Sequence, residues 1–206
     1  MKELKIKKFV LGMMQTNCYL IEDGNNSMLV DPGDDYEVII NYLNTNNLRI
    51  AAILLTHGHF DHIGAVEDLV EVYNCPVYLH KNDISTFYDD SLNLSNYYTP
   101  LKIITKVNEV EDSIFINDYS IKFVNLPGHT PGSCFIIFDD YNIIFSGDVL
   151  FKGSIGRYDF PNSSVKQTQD TIARIKNIDI DYMIYPGHGD STSLFFEKNN
   201  NIYLSR

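Results

Sequence analysis

Residues 54–64 read LLTHGHFDHIG, an apolar run that ends in three histidines and an aspartate within six positions. The chain has six histidines in 206 residues, so half of them stand at this one place. Imidazole nitrogens and carboxylate oxygens at such spacing are the donor set of zinc and similar divalent ions, and packing alone gives no reason to gather so many titratable groups. The stretch therefore reads as a metal site, with His57, His59, Asp61 and His62 as candidate ligands.

Its flanks predict the local fold. AAILLT, just upstream, reads as a strand, and downstream Ile63, Val66, Leu69, Val70 and Tyr73 recur with helical period. The histidines thus sit where a strand passes into a helix, a place where α/β proteins gather ligand-binding side chains. Further out, LKIKKFV, CYLIED and SMLVD read as short strands, DPGDD at 31–35 as a turn and helix cap, and Tyr36, Ile39, Ile40 and Leu43 as one face of a helix. The second half repeats the arrangement with strands YSIKFVNL, SCFIIFDD and YNIIFSGD, a helix over 163–176, and a strand in DYMIYPGHGD. Strand groups twice interleaved with helices predict an α/β fold, a four-layer αββα sandwich of two mixed β-sheets flanked by helices, built by one domain over 1–206. Residues 83–112 are polar, contain several tyrosines and follow no period; they read as a loop that shapes a pocket.

Composition narrows the function. A hydrophobic share of 44% with 21% charged residues is that of a globular chain able to bury a sizeable core. The net charge of −11 argues against a nucleic-acid partner, which would call for an excess of Lys and Arg. MKELKIKKFVLGMMQTNC mixes charges into its short apolar run, so neither a signal peptide nor a membrane span is expected there, and the expected location is cytoplasmic. Cys18, Cys75 and Cys134 lie in or beside apolar strand-like runs without C-x-x-C spacing, and read as small buried hydrophobes.

Three later turns each carry one more potential ligand beside a glycine: LPGHTPGS with His129, FSGDVLFKGSIGRYD with Asp148, and YPGHGDS with His188. Glycine there permits close backbone approach at a strand end. His80, after CPVYL, stands outside this set and reads as a strand-end histidine. Asp31 in DPG reads either as a turn residue or as an acceptor that steers a histidine ring.

With H-x-H-x-D-H at 57–62, His129, Asp148 in its G-D context, His188 and DPG at 31–33, the chain resembles the metallo-β-lactamase-fold hydrolases along almost its whole length. The resemblance implies that His57, His59 and His129 hold one metal ion and Asp61, His62 and His188 a second, with Asp148 bridging. It implies two divalent cations, zinc first, with iron or manganese able to take the same ligands. Such a pair lowers the pKa of a shared water, and the hydroxide attacks a carbonyl, with Asp61 orienting it and later carrying a proton.

A carboxylate at Asp148 separates the chain from the secreted β-lactamases of this fold, which generally have a cysteine there. GDVLFKGSIGRYDFP is most similar to the glyoxalase II branch, and the short stretch after His188 matches its single-domain members, the hydroxyacylglutathione hydrolase-like proteins. That resemblance implies a small-molecule thioester of a thiol carrier as substrate, S-lactoylglutathione above all. Arg157 is the expected substrate-binding residue, its planar fork meeting a carboxylate, or else it pairs with Asp159 to pin the turn. Two rival readings are a mononuclear iron persulfide dioxygenase of the same fold, to which GRYDF is similar and which would use His57, His129 and Asp148, and a non-enzymatic metal-binding domain.

Overall fold

A computed structural model describes residues 4–205, so Met1 to Glu3 and Arg206 of the expected 1–206 domain lie outside it. β1 (Lys5–Leu11), β2 (Thr16–Asp23) and β3 (Asn26–Val30) form an antiparallel meander. After α1 (Tyr36–Thr45) the sheet continues in parallel from β3 to β4 (Arg49–Leu55). The one-turn α2 (Phe60–Ile63) and α3 (Val66–Tyr73) cross over to β5 (Val77–His80). A segment with the short α4 (Ile84–Tyr88) then leads to β6 (Val107–Val110), completing a six-stranded sheet in the order β1-β2-β3-β4-β5-β6.

The second sheet is built from β7 (Ser113–Ile116), β8 (Tyr119–Asn125), β9 (Cys134–Phe138), β10 (Ile143–Gly147), β11 (Met183–Pro186) and β12 (Thr192–Ser193). Its order is β12-β11-β10-β9-β8-β7, antiparallel except for the parallel β10–β11 pair, which is linked through α5 (Val165–Lys176). α6 (Leu194–Asn200) follows. Among the described residues no helix is long and apolar enough to cross a membrane.

Period-2 alternation assigns each strand residue to a layer. In β2, Leu20 faces outward with Leu29, Ile53 and Leu79 onto Ile39, Leu43 and Leu69 of the helices. Its neighbours Tyr19 and Ile21 face inward, onto Ile121, Phe123, Ile136 and Phe145 of the second sheet. Beyond that sheet, Phe135, Ile137, Ile144 and Ile184 pack on Ile175 and Leu194. Two mixed sheets face to face with helices outside are the sandwich expected from the sequence, and the central strands are apolar on both faces because both are covered. Cys18, Cys75 and Cys134 are free and buried in these layers, and burial pushes all three thiols up.

One local expectation is refined. The helical run after the histidines breaks into α2 and α3, because the DPG loop packs against the break. A Cβ on Gly33 would sit 1.7 Å from the Asp61 carbonyl oxygen, and one on Gly64 would sit 2.2 Å from the Gly33 carbonyl oxygen. Backbone meets backbone there, which only glycine allows.

Candidate metal centre

β4 ends at Leu55, and His57, His59 and His62 follow it into the seam between the sheets, all three almost fully buried. The turns after β8, β10 and β11 bring His129, Asp148 and His188 to the same place. Three groups of donor atoms converge, each within 4.8 Å: His57, His59 and His129; Asp61, His62 and His188; and His57, His62 and Asp148. Asp148 lies 3.3 Å from His62 Nε2, 3.5 Å from His129 Nε2 and 3.6 Å from His188 Nε2, between the first two groups. Asp61 Oδ2 is 3.3 Å from His188 Nε2 and accepts a hydrogen bond from the Thr16 hydroxyl at 3.1 Å.

The rings are oriented from behind. Asp31 accepts from the Thr56 N–H at 2.8 Å and the Thr56 hydroxyl at 2.6 Å, and its Oδ2 is 3.0 Å from His62 Nδ1. Of its two sequence readings, the structure supports the acceptor that steers a histidine. The Arg157 carbonyl stands 2.7 Å from His129 Nδ1, and Thr56 Oγ1 is 3.1 Å from His57 Nδ1. Holding Nδ1 leaves Nε2 of each ring for a ligand. His80 ends β5 away from this group, its Nδ1 accepting the Asn82 N–H.

Asp83 went unnoticed in the sequence. Fully buried, it accepts N–H groups from Gly58 and Gly132 and a hydroxyl from Thr86, so it ties the 57–62 loop to the turn that carries His129. Burial raises its carboxyl pKa despite these donors. The contacts are long-range, and no local spacing announces them. Asn17 is another: its N–H donates to the Gly187 carbonyl and its amide to the Pro186 and Gly189 carbonyls, gripping the turn of His188.

The electrostatics suit a cation. Burial, reinforced by neighbouring histidines, holds His57 and His59 well below the usual imidazole pKa, so their lone pairs are free. For His62 burial acts the same way, but Asp61, Asp148 and Asp31 outweigh it and raise the pKa. Asp148 is lowered, its burial more than offset by His62. The Nε2 atoms of His57, His59 and His62 and Oδ1 of Asp148 are buried without a hydrogen-bond partner. His59 Nδ1 and His129 Nε2 lie only 2.9 Å apart. Orphaned buried acceptors are costly, and cations held in the cluster would satisfy the His57 and His62 nitrogens and Asp148 while separating His59 Nδ1 from His129 Nε2. The residues present fit divalent metal.

One side of the cluster opens into a cavity of about 720 Å³ lined by His59, Asp61, His129, Asp148 and His188 together with aromatic and aliphatic side chains. Arg157 lines it as well. Its Nε and one terminal nitrogen each donate at 2.9 Å to Asp159, and the guanidinium lies 4.6 Å over the Phe160 ring. Of the two sequence readings of Arg157, the pair with Asp159 is the one seen, at a residue that also lines the cavity.

The family described as the metallo-beta-lactamase superfamily matches residues 11–188. The hydroxyacylglutathione hydrolase GloC of Haemophilus influenzae is 32% identical, over 98% of this chain and 99% of its own. Among solved structures, the BLEG-1 B3 metallo-beta-lactamase superimposes with a TM-score of 0.91 at 34% identity, covering 98% of this chain and 100% of that one. TTHA1623, solved in a di-iron-bound form, gives a TM-score of 0.87 at 36% identity over 96% and 100% of the two chains.

Proposed function

The chain belongs to the metallo-beta-lactamase superfamily, and from that premise we propose that it is a metal-dependent hydrolase whose substrate is a thioester, with S-lactoylglutathione the first to test. The observation that carries the proposal is the convergence of two three-residue donor groups, with Asp148 between them, at the floor of an open cavity. His57, His59 and His129 would hold one divalent ion and Asp61, His62 and His188 a second, zinc first. When bound, such a pair supplies Lewis acidity to a carbonyl and brings the pKa of a water close to neutrality.

The chain's own groups do the rest. Asp61 sits at the cavity edge with Oδ2 fixed by Thr16, placed to orient a water and to pass its proton toward the departing thiolate. Asp31 and the Arg157 carbonyl keep the His62 and His129 rings from turning. The likeness to GloC favours a thioester; that to BLEG-1 makes a β-lactam the second substrate to assay.

The test is elemental analysis of protein purified without chelator, alongside thiol release from S-lactoylglutathione. About two divalent ions per chain and metal-dependent release are expected. A single bound iron with oxygen uptake on glutathione persulfide would replace the hydrolase by the dioxygenase.

A further inference from the structure

One wall of the cavity is made by a turn that contributes no metal ligand. Leu94 adopts φ 69° and ψ 6°, and Tyr98 φ −128° and ψ −99°. A left-handed conformation at a leucine costs on the order of 1 kcal/mol or more and persists only where the surroundings impose it. Those surroundings are local and firm. Buried Asn93 accepts the Ser95 N–H at 2.9 Å through its side chain, and its carbonyl accepts the Phe60 N–H at 2.9 Å, next to Asp61. Leu94 itself is buried, whereas Tyr97 and Tyr98 are 70% and 53% exposed, and both line the cavity. Tyr98 stacks on Phe60 with ring centroids 4.8 Å apart and planes 30° from parallel.

A strained, hydrogen-bonded turn thus holds flat aromatic faces at the mouth of the site. Charge offers one other handle. Arg157 is the one Lys or Arg among the residues lining the cavity, and two of its five donors are engaged by Asp159. With one cation on a wall otherwise rich in aromatic and aliphatic side chains, apolar contact is the larger source of binding energy for the part of a substrate that does not react, and flat rings pair best with flat rings.

We propose that Phe60, Tyr97 and Tyr98 form a subsite for an aromatic group, so that the preferred thioesters carry an aryl ring on the acyl or the thiol portion. This deepens the thioester hydrolase reading and rests on it. The ring is recognised by stacking, and it lies on whichever side of the scissile bond faces the turn.

The experiment has two arms, run on metal-loaded protein. In the first, N-benzyl-phenylacetamide, an inert amide with a ring on each side, is titrated calorimetrically into wild type, Tyr97→Ala, Tyr98→Phe and the Tyr97→Ala/Tyr98→Ala double variant. Binding should weaken roughly ten-fold in the double variant and stay near wild type in Tyr98→Phe, in line with the loss of aromatic pairing. Both tyrosines are exposed, so folding and metal content should be unchanged, and Tyr97→Ala, the more exposed site, gives a milder loss. Undiminished binding in the double variant would overturn the subsite.

In the second arm, kcat/KM is measured for the four thioesters that combine acetyl or phenylacetyl with methanethiol or benzyl mercaptan. Preference for the phenylacetyl pair assigns the ring to the acyl side, and preference for the benzyl pair to the thiol side. Hydrolysis of all four at equal rates would refute the aromatic preference and leave the thioesterase standing. Hydrolysis of none, with tyrosine-dependent binding of the amide, would do the reverse.

Discussion

Asp83 accepts the Gly58 N–H at 2.6 Å, and with its other oxygen it accepts the Gly132 N–H at 2.8 Å. One buried carboxylate therefore fixes the distance between the loop of His57 and His59 and the turn of His129. Asp83→Asn keeps the shape but turns an acceptor into an NH2 that faces a backbone N–H. Metal affinity should fall by about 10- to 100-fold, as for other groups that orient ligands from behind. Competition with a chromogenic chelator measures this, and wild-type affinity in the variant would show that the clamp is idle.

Asp148→Ala removes the carboxylate that stands between the two donor groups. Metal content should drop from two ions toward one per chain, and thioester turnover should fall at least about a thousand-fold, equivalent to several kcal/mol of transition-state stabilisation. A variant with full metal content and near-normal turnover would show that Asp148 does not bridge.

Arg157 and Asp159 form a solvent-exposed pair, with side chains 68% and 63% accessible. Exposed pairs add little to stability, so Arg157→Ala should barely move the melting temperature. If the guanidinium leaves Asp159 to meet a substrate carboxylate, the variant should raise KM for a charged thioester about ten-fold with kcat and neutral thioesters unaffected. Equal losses on charged and neutral substrates would instead mark a role confined to the turn.

Metal uptake should release protons. In the metal-free protein Asp61, Asp148 and Asp31 outweigh burial and keep His62 protonated above the usual imidazole pKa, whereas His57 and His59 are already neutral. A cation requires the unprotonated nitrogen, so binding expels the His62 proton and affinity climbs with pH until that proton leaves unaided. His188, raised against its burial by a hydrogen bond to Asp61 and by Asp148, adds to this, so calorimetry at neutral pH in buffers of different ionisation enthalpy should register release of at least one proton as the sites fill. A heat independent of the buffer would contradict this.

The seven candidate ligand residues were legible because their signals are local: a dense histidine spacing after a strand, and single residues beside glycines in turns. The covered strands were legible too, since Leu20 and Tyr19 serve different layers and both are apolar. β7 was not, for an edge strand that leaves Ser113 and Phe115 in solvent shows no apolar alternation. Residues 83–112, read as one loop, instead hold the short α4 and β6 among their turns, each too short to show a period, although Leu94, Tyr97 and Tyr98 do line the pocket. By composition the Asn run at 199–201 is a short polar patch. Yet Asn201 is fully buried, donating from its amide to Glu197 and to the Ser154 carbonyl. Composition carries no trace of a partner so distant in sequence, and the same holds for Asp83 and for the Asn17 grip on the last turn.

That grip bears on how the protein is made. Asn17 bonds to Gly189 across 172 positions, and Thr16 pairs with His188 itself. During synthesis residues 57–62 leave the ribosome well before His188, at about 5–20 residues per second, so the nascent chain carries an incomplete donor set for several seconds. Closing so long a loop adds little entropic penalty over a shorter one, but it has to wait for the final turn. Strand β2, made early, is the partner on which that turn docks. The His57, His59 and His129 donors are thus made before the group that His188 completes, and that second group forms only once the far turn reaches β2.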